Sequence, residues 1–258
     1  MSESRRARIR EMLNSQPYVS LKQLEAEFPS YSSMTLRRDL EYFEKIGEVI
    51  RVRGGARSVK HLSHAQEEVY SRREAENPAA KKSIALQAIR LIEPGRSYFF
   101  DSGTSIMNLA RILPDERLFV ITSGPNIALE IIKKQHPTVS VVGGVLNRDN
   151  ISLSGNASLH FLDSLNIDIA FIAPTGFSQE TGFTCGNSAE AELKKYIMAK
   201  ARTVVVLMDA SKFDRSLPYT FGRSEDVDIL LTDRMPIPAT AEKLRAGGVE
   251  IVVCDKLI

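Results

Sequence analysis

Seven short apolar segments, separated by stretches with helical spacing, constrain the fold of this chain more than any other feature. The segments are Tyr98–Phe100, Leu118–Thr122, Val139–Val142, Ile167–Ala173, Val204–Met208, Ile229–Thr232 and Val249–Val253. The helical patterns between them are Ser105–Leu113, Pro125–Gln135, Ser188–Ala199 and Ala239–Ala246. Strands that are buried on both faces are continuously apolar, and crossover helices join strands that lie parallel. The pattern predicts a doubly wound, largely parallel α/β domain over residues 81–258.

The first 59 residues show a different pattern, in which three short helices precede a hairpin. The first helix is predicted over Ser4–Ser15, and the second begins at Ser20, which forms a capping box with Gln23. The third helix carries its apolar side chains at Leu36, Leu40 and Phe43. Val49–Val59 alternates in polarity around Gly54-Gly55, which predicts a β-hairpin. This order of elements is that of a winged helix-turn-helix domain over residues 1–59.

The charge of the chain is distributed unevenly. Residues 1–60 hold 12 Lys and Arg against 8 Asp and Glu, although the net charge of the whole chain is only +2. Excess positive charge in one domain is a modest electrostatic footprint for nucleic acid. The polar residues 60–80 are interpreted as a linker between the two domains.

Composition excludes several classes of protein. The cysteines, Cys185 and Cys254, are too few for a disulfide framework or a Cys-based zinc site. The N-terminus has no apolar signal region, and no apolar run reaches the roughly 20 residues that cross a bilayer. We therefore expect a cytoplasmic protein with no metal, no cofactor and no membrane partner.

The third helix is suited to the major groove of double-stranded DNA. Its apolar face leaves five hydroxyl and guanidinium side chains outward: Ser32, Ser33, Thr35, Arg37 and Arg38. Such groups bond base edges and phosphates. The hairpin adds Arg51 and Arg53 beside Gly54, where the backbone can approach the sugar-phosphate closely. The alternative is a solvated charged face on a small helical domain.

The first strand of the second domain leads through a small polar loop into a helix. The loop residues are Asp101, Ser102, Gly103, Thr104 and Ser105. Free N–H groups at a helix N-terminus attract anions, and ligands bind at the carboxyl ends of strands in open α/β sheets. Other small residues at strand ends are candidates for the same crevice: Thr122, Ser123, Gly143, Gly144 and Gly155. Each loop alone is also compatible with ordinary turn and capping chemistry.

Three charged residues of the second domain also stand out. Glu190 and Lys194 are spaced i, i+4 at the start of a helix, where they form either a surface ion pair or part of a site. Lys212 follows a buried strand, where a lysine either meets a phosphate or lies exposed in a loop.

Motifs in both halves resemble the DeoR family of bacterial regulators. The N-terminal match is Met34-Thr35-Leu36-Arg37-Arg38-Asp39-Leu40, followed by Gly54-Gly55-Ala56. The C-terminal matches include Asp101-Ser102-Gly103-Thr104, Leu153-Ser154-Gly155, Glu190-Ala191-Glu192-Leu193-Lys194 and Asp209-Ala210-Ser211-Lys212-Phe213. The resemblance implies that Ser33 to Arg38 lie on the recognition helix. It also implies a C-terminal domain similar to sugar-phosphate isomerases.

The resemblance further implies that this domain senses a phosphorylated sugar or related metabolite. The phosphate would lie at Ser102 to Ser105 with Lys212 nearby. Ala173-Pro174-Thr175-Gly176 departs from the family's common Gly-Ala-Asp/Asn-Gly, and Gly176 would lie beside the sugar part of the ligand.

Three functional classes compete at this point. The first is an effector-controlled repressor of a carbohydrate-metabolism operon, with no catalytic residues. The second is a sugar-phosphate isomerase-like enzyme with an appended DNA-binding domain, and the third is a DNA-binding structural protein. Similarity of fold is no evidence of activity. We favour the repressor, and we expect a homodimer or homotetramer because operators are usually read by symmetric pairs.

Overall fold

The computed structural model describes residues 2–16, 18–52, 54–58 and 67–254. The chain divides into two compact units, Met1–Gln66 and Glu67–Ile258. Residues 67–80, predicted as linker, therefore lie in the second unit. Within the described ranges, no helix is long and apolar enough to cross a membrane.

The first unit contains three helices and a three-stranded antiparallel sheet. The helices are α1 (Ser2–Ser15), α2 (Leu21–Glu27) and α3 (Ser33–Lys45). The strands β1 (Tyr18–Ser20), β2 (Val49–Val52) and β3 (Gly55–Ser58) lie in the order β1-β3-β2. The predicted capping box is confirmed, since Ser20 Oγ accepts from Gln23 N at 3.1 Å and Gln23 Oε1 accepts from Ser20 N at 2.8 Å. These elements form a winged helix-turn-helix.

Two glycines shape the β2–β3 hairpin in different ways. Gly54 has φ +90°, a backbone conformation that other residues rarely adopt. A Cβ at Gly55 would lie 2.3 Å from the carbonyl oxygen of Val19, so strand β1 can pair with β3 only because this residue has no side chain. Sequence analysis missed β1, whose three residues are too few to show alternation.

A buried carboxylate ties α1 to α3. Asp39 accepts from Arg5 Nε at 2.6 Å and from Arg6 Nε at 2.9 Å, and only 2% of its side chain is exposed. Each guanidinium also lies over an aromatic ring, Arg5 over Tyr31 and Arg6 over Tyr42. The aspartate in the Arg-Arg-Asp motif therefore stabilises the domain, while the arginines before it are left for other contacts.

The second unit is built on a seven-stranded parallel sheet in the order β15-β14-β12-β9-β4-β5-β6. Its strands are β4 (Ser97–Phe100), β5 (Phe119–Thr122), β6 (Thr138–Val141), β9 (Ile169–Ile172), β12 (Thr203–Leu207), β14 (Ile229–Thr232) and β15 (Glu250–Val253). Each of the seven apolar segments contains or overlaps one of these strands, and every neighbouring pair is parallel. The prediction of a parallel sheet is confirmed.

Helices cover both faces of this sheet. They are α4 (Tyr70–Ala75), α5 (Pro78–Ala88), α6 (Thr104–Ile112), α7 (Pro125–Ile131), α8 (Asn156–Asp163), α9 (Ser188–Lys200) and α10 (Pro238–Ala246). Buried side chains of α5, α6 and α7 pack with Tyr98 and Phe100 on one face. Those of α8, α9 and α10 pack with Phe99 and Ile172 on the other. The fold is therefore doubly wound, as predicted.

Two small antiparallel sheets were not predicted. β7 (Val145–Asn147) pairs with β8 (Ser152–Ser154), and β11 (Gly182–Cys185) pairs with both β10 (Gly176–Ser178) and β13 (Tyr219–Gly222). Strands of three or four residues are too short for a periodic pattern. Residues 67–80 of the predicted linker belong to the second unit, in which Tyr70 and Arg73 of α4 are buried.

Candidate functional site

The N-terminus of α3 presents the predicted hydroxyls and arginines. Ser32 caps the helix, since its Oγ accepts from Thr35 N at 3.3 Å, and Ser33 Oγ donates to Glu25 Oε1 at 2.5 Å. Arg37 and Arg38 are exposed, and neither forms an ion pair or hydrogen bond with another described residue. The two guanidiniums are therefore free to contact DNA without first breaking an internal contact.

The wing differs from the expectation at Arg51. Its guanidinium is bonded to two carboxylates of α3, Glu41 at 2.9 Å and Glu44 at 2.7 Å. Arg51 and Gly54 border a cleft of about 330 Å³ that Arg37 of α3 also lines. Arg53, the other predicted wing contact, lies outside the described residues. Helix α3 and the wing therefore border the same cleft, but the guanidinium of Arg51 is already paired with Glu41 and Glu44.

In the second unit, the strand order reverses between β4 and β9. From β4 the chain adds β5 and β6 on one side, then returns to place β9, β12, β14 and β15 on the other. In open α/β sheets, ligands bind beyond the carboxyl ends of the strands at such a reversal. The loop that follows β4 and the loop that follows β9 meet there.

A small cavity of about 20 Å³ opens at this reversal. Its lining comes from the ends of β4, β9 and β12 and from α4 and α5: Arg73, Lys81, Gly103, Thr104, Ser105, Ala173, Pro174, Thr175, Leu207, Met208, Asp209 and Lys212. Gly103 is the N-cap of α6 and supplies no side-chain hydrogen bond, so the first N–H groups of the helix are open to an anion. The predicted loop and Lys212 are therefore brought together.

Three cations border the cavity, and sequence analysis found only Lys212. Burial lowers the pKa of Lys212, and it lowers the pKa of Lys81 to about 8. Lys81 donates to the carbonyl of Arg73, the third cation. Arg73 lies in the stretch interpreted as a linker and Lys81 is the first residue of the predicted second domain, where the apolar positions of α5 at Ile84, Ala85 and Ala88 were the available signal.

Asp101 and Lys194 form a buried ion pair. Lys194 Nζ donates to Asp101 Oδ2, which also accepts from Ala173 N at 2.9 Å. Burial alone would lower the pKa of Lys194, but the charge of Asp101 raises it. Asp101 Oδ1 accepts from Ser102 N at 2.9 Å. Asp101 thus joins the ends of β4 and β9 and holds Lys194 between them.

Glu190 does not form the i, i+4 pair that its spacing suggested. Its carboxylate accepts from Asn150 at 3.0 Å, from Asn147 at 3.1 Å and from Ser152 at 2.5 Å. Burial raises the pKa of Glu190, and the nearby charge of Glu67 adds to the effect. Glu190 is therefore held in a buried polar network, which joins α9 to the β7–β8 loop.

Ten predicted residues do not line the cavity within the described part of the chain: Asp101, Ser102, Glu190 and Lys194, described above, and a further six, Thr122, Ser123, Gly143, Gly144, Gly155 and Gly176. Thr122 Oγ1 accepts from Gly124 N, and Ser123 O accepts from Leu153 N. Gly143 and Gly144 follow β6, the strand at the edge of the sheet.

Close packing explains two of these glycines. A Cβ at Gly144 would lie 2.3 Å from Ser154 O, and one at Gly176 would lie 2.4 Å from Arg215 O. Both residues permit a close backbone approach here. A role of these six residues in binding an effector stays a prediction.

Sequence models of two protein domains match the chain. The DeoR-like helix-turn-helix domain matches residues 5–61, and the DeoR C terminal sensor domain matches residues 76–234, more than half of the chain. The chain belongs to the DeoR family. It is a DNA-binding transcription regulator rather than an enzyme, with a helix-turn-helix domain ahead of a sensor domain.

Relatives in the DeoR family align over nearly the whole chain. HTH-type transcriptional regulator GlpR of Haloferax volcanii is 32% identical and covers 96% of this chain and 96% of its own length. HTH-type transcriptional repressor GlcR of Bacillus subtilis is 30% identical and covers 86% of this chain and 85% of its own length. Among solved structures, ribose 5-phosphate isomerase A of Methanocaldococcus jannaschii covers 54% of this chain and 55% of its own, with 19% identity and a TM-score of 0.40.

Proposed function

We propose that this regulator represses a carbohydrate-metabolism operon and leaves its operator when a phosphorylated sugar binds the second unit. The observation that carries the proposal is the cavity at the strand reversal, where the open N-terminus of α6 faces Lys81 and Lys212. Backbone N–H donors, hydroxyls and two lysines together suit a dianion. GlcR, a relative of similar length, is named a transcriptional repressor, which supports repression rather than activation of the operon.

The phosphate is expected to lie against Gly103, Thr104 and Ser105. Thr104 and Ser105 are nearly buried, so their hydroxyls are positioned by the fold rather than by solvent. Among the described residues, Glu76, at 3.8 Å from Lys212 Nζ, is the one carboxylate within ion-pair distance of either lysine, so a bound anion would supply a counter-charge to these two buried cations.

A thermal-shift titration tests the phosphate site. Wild type, Lys212→Met and the control Lys82→Met, an exposed neighbour of Lys81, are titrated with inorganic phosphate, ribose 5-phosphate, glucose 6-phosphate and glycerol 3-phosphate. A ligand of the native state raises Tm. Lys212→Met should lose the response that Lys82→Met keeps. Equal responses in both variants would place the anion elsewhere.

A gel-shift titration tests the regulatory half of the proposal. The ligand that raises Tm is added to complexes with DNA fragments that the wild-type protein selects from a random pool. A coupling of about 1–3 kcal/mol, or roughly 5–150-fold in affinity, is the usual scale. An unchanged DNA affinity at saturating ligand would contradict control by this site.

The assembly is proposed to be a homodimer or homotetramer that works in the cytoplasm, where the operator is. A single winged helix offers a small DNA interface, and symmetric pairs read two half-sites. Light scattering of the full chain measures its mass directly, and a monomer at DNA-binding concentrations would exclude this part of the proposal.

A further inference from the structure

The carboxylate of Glu67 lies in a ready-made oxygen-binding site. It accepts from Thr175 Oγ1 at 2.5 Å, Asn150 Nδ2 at 2.9 Å and Gly186 N at 3.0 Å, and Arg73 lies 3.2 Å away. Only 8% of the Glu67 side chain is exposed. Four donors from four separate segments thus converge on one side chain.

Two of these four donors belong to the wall of the cavity at the strand reversal. Arg73 and Thr175 line the cavity at the strand reversal and also bind Glu67. Asn150 bridges Glu67 to Glu190 of α9. The place that Glu67 fills therefore adjoins the proposed phosphate site and shares Arg73 and Thr175 with it.

The surroundings are shaped to admit Glu67 closely. A Cβ on Gly186 would lie 2.6 Å from Glu67 Cβ, so this approach requires a residue without a side chain. Although burial opposes its charge, Arg73 keeps the pKa of Glu67 below its ordinary value. Glu67 is also the first residue of the second unit, and residues 59–66 connect it to the wing strand β3.

We propose that Asn150, Thr175, Arg73 and the N–H of Gly186 form the subsite for the sugar oxygens of the effector, and that Glu67 is its built-in occupant. This inference rests on the proposed function. The effector's hydroxyl or carboxylate oxygens replace the Glu67 carboxylate on the same donors. Binding then expels Glu67, the residue at which the sensor unit joins the chain leading to the DNA-binding unit.

The effect of removing Glu67 on ligand affinity distinguishes two roles of this residue. If Glu67 only recognised the ligand, its removal would weaken binding. If Glu67 competes with the ligand, its removal strengthens binding, because the apparent Kd equals the intrinsic Kd divided by the fraction of molecules in which the site is open. The sign of the change therefore separates the two roles.

An acetate titration tests the subsite without reference to the effector. Full-length wild type, Glu67→Ala and the control Glu74→Ala, which loses an exposed carboxylate of α4, are heated in sodium acetate or in sodium chloride of equal ionic strength. Acetate should raise the Tm of Glu67→Ala above the chloride value and leave the other two unchanged. Equal Tm values in acetate and chloride for the folded Glu67→Ala variant would overturn the proposal.

Inorganic phosphate separates this inference from the proposed function. Phosphate alone fits the Gly103–Ser105 side and has no need to expel Glu67, so it should stabilise all three proteins alike. If phosphate stabilises none of them, the phosphate site fails, and the acetate result still decides the Glu67 subsite. Should Glu67→Ala fail to fold, the isosteric Glu67→Gln removes the charge while filling the same volume.

Calorimetric titration with ribose 5-phosphate and glucose 6-phosphate tests the competition. Glu67→Ala should bind whichever sugar phosphate binds wild type with a Kd lower by about fivefold or more, since the competitor has been removed, and Glu67→Gln, which keeps the volume but loses the ion pair with Arg73, should show a smaller decrease. Glu74→Ala should match wild type. A Kd for Glu67→Ala equal to or above the wild-type value would show that Glu67 is not displaced.

Discussion

Arg51 of the wing donates to Glu44 of helix α3, with 2.7 Å between Arg51 Nε and Glu44 Oε2. Glu41, one turn earlier, accepts from the same guanidinium at 2.9 Å. All three side chains are about half-exposed, so the ion pairs are weak and screened by salt. A contact of Arg51 with a phosphate must therefore compete with two carboxylates.

Removing those carboxylates is expected to strengthen DNA binding. The Glu41→Gln/Glu44→Gln double variant frees Arg51 for a phosphate and should bind all duplex sequences more tightly, because phosphate contacts carry no base information. One added contact should steepen the salt dependence by about one unit. The measurement is the Kd for a non-operator duplex against salt concentration. With the exposed Glu11→Gln as control, an unchanged slope would contradict the role of Arg51.

Replacing both Arg37 and Arg38 with Ala is expected to weaken operator binding while the domain stays folded. Neither guanidinium bonds to another described residue, so the double substitution should remove contacts with DNA and no contact within the described part of the domain. A base-reading arginine contributes about 1–3 kcal/mol, and a phosphate contact about one unit of salt slope. Gel-shift titration of the double variant against Arg10→Ala, an exposed arginine paired with Glu48, makes the comparison. Equal affinities would rule out α3 as the recognition helix.

Asp39→Asn should lower the free energy of unfolding of the first unit. Removing one partner of a buried ion pair costs about 3–5 kcal/mol, and the lower end applies because Arg6 is one-third exposed. Hydrogen exchange of the α3 amides reports the change within this unit. Glu27→Gln, which breaks an exposed pair with Arg8, is the control and should leave exchange unchanged.

The same variant has a pH signature. Burial alone would raise the pKa of Asp39, but its bonds to Arg5 and Arg6 hold the pKa below its ordinary value. Its stabilisation is therefore complete above the unfolded pKa near 3.9 and is lost as pH falls through the folded value. Asp39→Asn should remove this acid-sensitive part, so wild type and variant should converge at low pH.

The sequence predicted the parts of the fold that repeat. Strands buried on both faces are continuously apolar. The apolar segments around Phe99 and Phe171 therefore predicted β4 and β9 without knowledge of the neighbouring strands. The loop at Gly103 was also predictable, because a strand, a small polar loop and a helix are contiguous in the chain. Lys81 and Arg73 were not, because their burial arises only when α4 and α5 pack beside a loop more than 20 residues away.

Helical spacing left the partners of Glu190 and Lys194 open, and the structure identifies them. Glu190 and Lys194 are one helical turn apart, yet each is bonded to a different segment, Glu190 to the β7–β8 loop and Lys194 to Asp101. Gly103, beside which the phosphate is expected, also has a packing role, because a Cβ there would lie 2.3 Å from Ala173 Cβ. Its replacement by Val would disturb the sheet end, so Lys212 is the sharper test of the anion site.

Effector affinity is expected to fall above about pH 8 because of Lys81. Burial lowers the pKa of Lys81 to about 8, while Asp209 and Glu76 act to raise it and Lys212 and Arg73 to lower it. Below that pH the ammonium attracts a phosphate dianion, and above it the neutral amine does not. A phosphate ester is already a dianion above pH 7, so the ligand's own titration does not produce this loss.

Titration calorimetry with glucose 6-phosphate or ribose 5-phosphate between pH 7 and pH 9.5 measures this loss of affinity. Binding should also take up protons near pH 8, because the dianion raises the pKa of Lys81 and stabilises its charged form. Lys81→Met should bind more weakly at pH 7 and show a flatter profile, while Lys82→Met, altered at an exposed position, should follow wild type. A wild-type profile that is flat across this range would show that Lys81 does not face the phosphate, since no other change of charge at the site could compensate for its loss.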